Sequence, residues 1–170
     1  MESEAEALQK KHNFYLCKLR ALAKPLSQEI RQRISDELLA RLAHSLLNET
    51  VFAIVHGLME IQHVTEAQLE QQRMAVTKQL RFEKAKVVQE SKGQADRQLK
   101  VKNLEQSHSE ALRQQDMSIL NQFDHKVADQ QCTLELAGVP GFYVTTNPVD
   151  IQAQMHLLDF ILQLSVLKPD

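Results

Sequence analysis

The chain has 170 residues, with 24 Leu and 20 Gln but only four Gly, four Pro and no Trp. Leu, Gln, Glu, Lys and Ala are good helix formers, so the composition predicts one all-α domain with coiled-coil character. A formal net charge of −2 supplies no general pull toward nucleic acid or anionic membrane.

A first helix is predicted over Glu2 to Ala23, with Leu8, His12, Tyr15, Leu19, Leu22 and Leu26 at four- and three-residue spacing. That seam is short and interrupted by His12, so it must dock on something. The acidic start, Met1-Glu2-Ser3-Glu4-Ala5-Glu6, lacks the apolar stretch of a signal peptide. Pro25 ends the helix, because its ring removes a donor and crowds the preceding turn. Ser27 caps a short second helix. Ser35 caps a third, carrying Leu38, Leu39, Leu42, Leu46 and Leu47. Asn48 ends it, and Thr50 caps the next.

Val51 to Val64, VFAIVHGLMEIQHV, is the most apolar run. With His56, Glu60 and His63 inside it, the run is too short and polar for a bilayer, which takes about 20 apolar residues. It is expected as the central core helix, with Val51, Phe52, Val55, Leu58 and Met59 buried.

Thr65 with Gln68 forms a capping box, which predicts a kink there. A polar tract then runs to Ala137, with a seven-residue repeat only at Leu120, Val127 and Leu134. Unbroken, it would be a rod of about 105 Å at roughly 1.5 Å per residue. Gly93, the one Gly in the tract, marks the favoured reversal into an antiparallel coiled-coil hairpin projecting from the core. The alternative is one long rod-like helix in a dimer.

Gly138 suits the left-handed position that ends a helix, and GVPGFYVTT reads as loop or strand. Asn147, Pro148 and Asp150 then start a last helix to about Leu167. Its buried stripe is expected at Ile151, Met155, Leu158 and Leu162, widened by Leu157, Phe160, Ile161 and Leu164. The single domain therefore divides into N-terminal helices and core helix (1–64), hairpin (65–137), and Gly/Pro corner with C-terminal helix (138–170).

KVADQQCTLELAGVPGFYVTTNP from Lys126 and TVFAIVHGLMEIQHVTEAQL from Thr50 resemble the DiGeorge syndrome critical region protein six family, whose insect member is called gonadal. The close resemblance covers about half the chain and leaves out the tract from about 70 to 120. It implies a small intracellular helical protein, nuclear or cytoplasmic, linked to development, with suggested roles in neural-crest behaviour and no enzymatic activity to carry over. The position usually held by Ser in the family's tail motif is Cys132 here, which argues against a dedicated thiol role.

No residue pattern reaches a catalytic signature, and no cofactor or metal is expected. Glu60/His63 and Glu105/His108 are both Glu-x-x-His, the spacing of a di-metal carboxylate site, but matching inward glutamates are missing. This metal-enzyme reading is the last alternative. His56 and His63 share a helix face as a possible titrating contact, with a structural role preferred. Cys17 and Cys132 have no partner base in sequence. Residues 78–102 carry eight basic and three acidic side chains, a balance of +5. A nuclear nucleic-acid factor using that tract is the first alternative, disfavoured because the charges spread around the helix. The favoured reading is a non-enzymatic adaptor that binds other proteins through helical surfaces, or pairs as a homodimer. Its candidate contact or structural corner comprises Gly138, Pro140, Gly141, Phe142, Tyr143, Asn147 and Pro148.

Overall fold

The computed structural model describes residues 1–167. The last three residues of the segment expected over 138–170 lie outside it. Six α-helices and no strand occur among the described residues: α1 (Glu4–Ala23), α2 (Gln28–Arg33), α3 (Asp36–Ser45), α4 (Thr50–Glu90), α5 (Gln94–Leu136) and α6 (Pro148–Ser165). The protein is all-α. No single described helix is long and apolar enough to cross a membrane; the apolar stretch of α3 and early α4 is bent by 98°.

Local chemistry sets most of the helix ends. Ser3 and Glu6 form a reciprocal capping box on α1. Ser27 and Ser35 cap α2 and α3 by accepting from Ile30 and Leu38 backbone N–H groups. The start of α4 is capped by Asn48 rather than Thr50: Asn48 Oδ1 accepts from the Thr50 N–H at 3.1 Å. Thr65 makes no break, and α4 runs through it without interruption. A capping box needs orphan N–H groups to cap, and here the preceding turns already continue the ladder.

The chain forms two compact units. Met1–Glu60 and the chain from Val127 onward make the first; Ile61–Lys126 makes the second. In the first unit α1 packs on α3 and α6, and α2 packs on α6. Tyr15, Leu19, Leu42, Leu46, Val55, Leu134, Leu157, Ile161 and Leu164 lie at its centre. Leu8, at the head of the expected α1 seam, is exposed. The helix richest in buried residues is α6, not Val51 to Val64. On α4, Val51 and Val55 are buried while Phe52, Leu58 and Met59 are half-buried. On α6, Leu158 is buried, Ile151 and Leu162 are half-buried, and Met155 is 64% exposed. The expected stripe was rotated: burial centres on Ala153, Gln154, Leu157, Ile161 and Leu164, which leaves Met155 on the face of Gln152, Asp159 and Gln163.

The second unit is an antiparallel hairpin. Its turn, Ser91-Lys92-Gly93, lies between Glu90 and Gln94. Arg73 Nε meets Asp116 Oδ1 at 2.9 Å and Lys84 Nζ meets Glu105 Oε1 at 2.9 Å. Eleven residues forward on α4 correspond to eleven back on α5, which fixes opposite directions. Gly93 does not adopt a positive φ; its carbonyl accepts the Arg97 N–H as α5 begins. Val76, Leu80, Glu83 and Val87 on α4, and Val101, Leu104, His108 and Ala111 on α5, form half-buried rows at three- and four-residue spacing. Leu120, the first member of the expected repeat with Val127 and Leu134, is 62% exposed.

A clamped corner as the candidate interaction surface

The segment between α5 and α6 is fixed at every step. Gly138, at φ +77°, closes α5: its N–H donates to Glu135 O and the next N–H, of Val139, donates to Leu134 O, both at 3.0 Å. This is a Schellman closure, and its usual apolar pair is present, since Leu134 and Val139 are both buried. Pro140 is half-buried. Gly141 has φ +90°, and a Cβ there would lie 2.7 Å from Leu157 Cδ1 and 3.3 Å from Leu38 Cδ2. Glycine is required by both backbone angle and space. Asn147 Oδ1 accepts the Val149 N–H at 2.9 Å, and Pro148 opens α6.

Two buried glutamines hold the strand-like stretch between these ends. Gln131 Nε2 donates to Gln154 Oε1 at 2.9 Å and to the Thr145 carbonyl at 3.4 Å, while its Oε1 accepts the Thr145 N–H at 3.2 Å. Gln154 Nε2 donates to the Tyr143 carbonyl at 3.0 Å. Both amides are thereby satisfied inside an apolar core, where an unpaired one would cost about 1–3 kcal/mol.

The aromatic pair is split by this clamp. Phe142 is buried in the core, whereas Tyr143 and Val144 are 43% and 55% exposed. Tyr143 is held protonated beyond its usual range, first by partial burial and then by the Asp150 carboxylate to which it donates. Asp150 also accepts from Thr145 Oγ1 and pairs with Arg33 at 3.0 Å. Beside the corner lies an open groove of about 420 Å³ lined by Glu37, Ala40, Arg41, His44, Ser45, Gly138 and Pro140.

Elsewhere the sequence candidates are dispersed. Glu105 pairs with Lys84, His108 with Glu83, and His63 with Glu66. Among the described residues no group of three or more His, Cys, Asp or Glu is placed to hold a metal. The Glu-x-x-His spacing reproduces half of a di-metal site without the converging partners that the other half needs. His56 Nε2 lies 3.0 Å from Ser165 Oγ. Cys17 and Cys132 are exposed and unbonded. In the basic tract Lys84 and Lys100 are in ion pairs, and all eight basic side chains are exposed.

Sequence reasoning missed Gln131, Gln154 and Arg33. A signal existed for the glutamines: each lies three residues before a buried Leu, at 134 and 157, in line with an apolar stripe. Among 20 glutamines it did not stand out.

The fold and the corner thus define an all-α helical protein whose best-formed surface is a rigid loop. The chain belongs to the DiGeorge syndrome critical region 6 (DGCR6) family, whose profile matches residues 1–170. It is 42% identical over 163 residues to "Gonadal protein gdl" of Drosophila melanogaster, covering 96% of this chain and 84% of that one. It is 40% identical over 175 residues to "Protein DGCR6" of Gallus gallus, covering 95% and 88%. No solved structure matches the chain. The resemblance read from two stretches therefore extends across the whole sequence. Neither relative's name is that of an enzyme.

Proposed function

We propose that the protein is a non-enzymatic helical adaptor of the nucleus and/or cytoplasm, serving a developmental process, and that Tyr143 and Val144 contact its protein partner. The observation that carries this reading is the exposure of two adjacent apolar side chains on a backbone pinned by Gly138, Gly141, Phe142, Gln131, Gln154 and Asn147. A rigid loop loses little conformational entropy on binding, and a fixed aromatic is the usual anchor of a protein interface. The names of the family and of the Drosophila relative, which refer to a developmental syndrome and to the gonad, support the developmental part of this reading.

The test is affinity capture of the full chain from cells with quantitative mass spectrometry, beside a Tyr143→Ala/Val144→Ser variant of unchanged circular dichroism. Loss of a stoichiometric partner in the variant supports the reading. An unchanged set of captured proteins removes Tyr143 and Val144 from the contact.

A further inference from the structure

The extended segment between Gly141 and Pro148 has one bonded edge and one free edge. In an extended chain the N–H and C=O groups of alternate residues face opposite edges. Tyr143, Thr145 and Asn147 share the inner edge, whose groups are engaged from the Tyr143 carbonyl onward. Gln154 donates to that carbonyl, and the Gln131 side-chain amide takes both the N–H and the C=O of Thr145, at 3.2 and 3.4 Å. The Asn147 N–H donates to Thr145 Oγ1, and the Asn147 carbonyl accepts from Ile151. An amide that meets both groups of one residue does what the opposite residue of an antiparallel strand does. The two glutamines therefore stand in for a neighbouring strand on that side. Val144 and Thr146 turn their N–H and C=O groups to the other edge. Both residues are exposed, and no hydrogen bond among the described residues uses any of those four groups.

We infer that this free edge takes an extended peptide segment of a partner protein, which lies along residues 144–146 as an added strand. The inference rests on the adaptor reading of the corner and names the form that the partner takes there. In either direction of pairing, only alternate residues of the peptide turn their N–H and C=O groups to the edge. Cross-strand contact with the exposed Tyr143 and Val144 side chains favours aromatic or β-branched residues in the peptide. Proline is excluded at a position that donates to the edge.

The length of the edge selects a peptide over a second copy of the chain. Gly141, at φ +90°, sets one end, and Pro148, which opens α6, sets the other. From Val144 to Thr146, at roughly 3.3 Å per residue, the edge spans only about 10 Å. Pairing of two folded copies along that distance alone falls well short of the ~1,200 Å² at the low end of specific interfaces. Short edges are also a means by which proteins avoid pairing with themselves. A peptide escapes this limit, because it can bond the edge and continue across Tyr143. Gln131 and Gln154 hold the segment extended before anything binds, so the cost of ordering falls on the peptide.

The experiment selects the tightest binder of the full chain from a library of short random peptides. That peptide is then synthesised in two further forms, N-methylated at its odd or at its even residues. Methylation removes donors and blocks one edge of the peptide while keeping every side chain. One form should bind at least tenfold more weakly and the other should not. The unmethylated peptide should slow exchange of the Val144 and Thr146 amides and leave Thr145 unchanged. Thr146→Pro removes an edge N–H and keeps Tyr143 and Val144, so it should also weaken binding at least tenfold, whereas Thr146→Val should not. Circular dichroism and Thr145 amide protection report that the Thr146→Pro chain stays folded. A library that yields no binder, equal effects of the two methylated forms, or edge amides that exchange as in the free chain overturns the proposal. So does a dimer of the chain that Thr146→Pro dissolves, because the occupant is then a second copy. Binding lost in Tyr143→Ala/Val144→Ser but kept in Thr146→Pro removes the edge and leaves the side-chain contact, so the two readings fail separately.

Discussion

The two units are built from the same helix-forming residues and hold together by different means. In the first, six helices or parts of helices surround a continuous cluster that includes Leu19, Leu42, Leu134, Leu157 and Ile161, all but inaccessible to water. In the hairpin, Leu69 is the one described hydrophobic residue that is fully buried, and the seam is otherwise half-exposed. Glutamine shows the contrast most sharply. Gln131 and Gln154 are core residues bonded to each other and to the corner backbone, while Gln68, Gln72 and Gln79 of the hairpin lie at the surface. Two helices alone can cover one stripe each, so the hairpin keeps little apolar area from water and should open at lower free energy than the first unit.

The largest expected effect breaks the first unit. Leu134→Ala removes a fully buried side chain next to the Schellman closure and should cost about 3–4 kcal/mol by chemical denaturation. Next, Gln154→Ala leaves the Tyr143 carbonyl and one Gln131 bond unsatisfied and should cost about 2 kcal/mol; faster exchange of the Thr145 amide would locate the damage at the corner. In the hairpin, Leu80→Ala deletes a half-buried side chain and should cost about 1 kcal/mol. A cost equal to that of Leu134→Ala would break the comparison.

The smallest effect is electrostatic. Arg20 binds Asp36 through two hydrogen bonds of 2.7 and 2.9 Å. That hydrogen bonding, ahead of simple charge attraction, holds the Asp36 carboxyl below its ordinary range. The pair's contribution is complete above the unfolded value of about 3.9 and is lost as pH falls through the lower folded value. Both groups are exposed, so the change in stability is small and screened. Carboxyl carbon shifts in an acid titration should show Asp36 protonating later than a solvated aspartate, and Arg20→Ala should remove the difference.

Much of this organisation is legible in the sequence because it rests on local signals. Ser27, Ser35, Asn147 with Pro148, and Gly138 each act through a backbone group a few residues away, so residue type and position suffice. The reversal near Gly93 is legible for the same reason, since two amphipathic arms flank the one glycine of the tract. What failed depends on tertiary partners. Met155 fits an apolar stripe as well as Leu157 does, and only the placement of neighbouring helices decides which of them faces the core. The Thr65 capping box is a real signal, overridden because the helix around it is already formed. The corner was recognised, but not the inequality of Phe142 and Tyr143, because two distant glutamines decide which side chain turns inward.

Native-state amide hydrogen exchange of the full chain, at a concentration where it is monomeric, tests the contrast most directly. Amides around Leu134, Leu157 and Ile161 should exchange only through global unfolding. Those from about Val76 to Ala111 should exchange through a separate, lower-energy opening with a smaller denaturant dependence. A single opening free energy and slope for both sets would contradict the account, because the hairpin would then be as firmly held as the core.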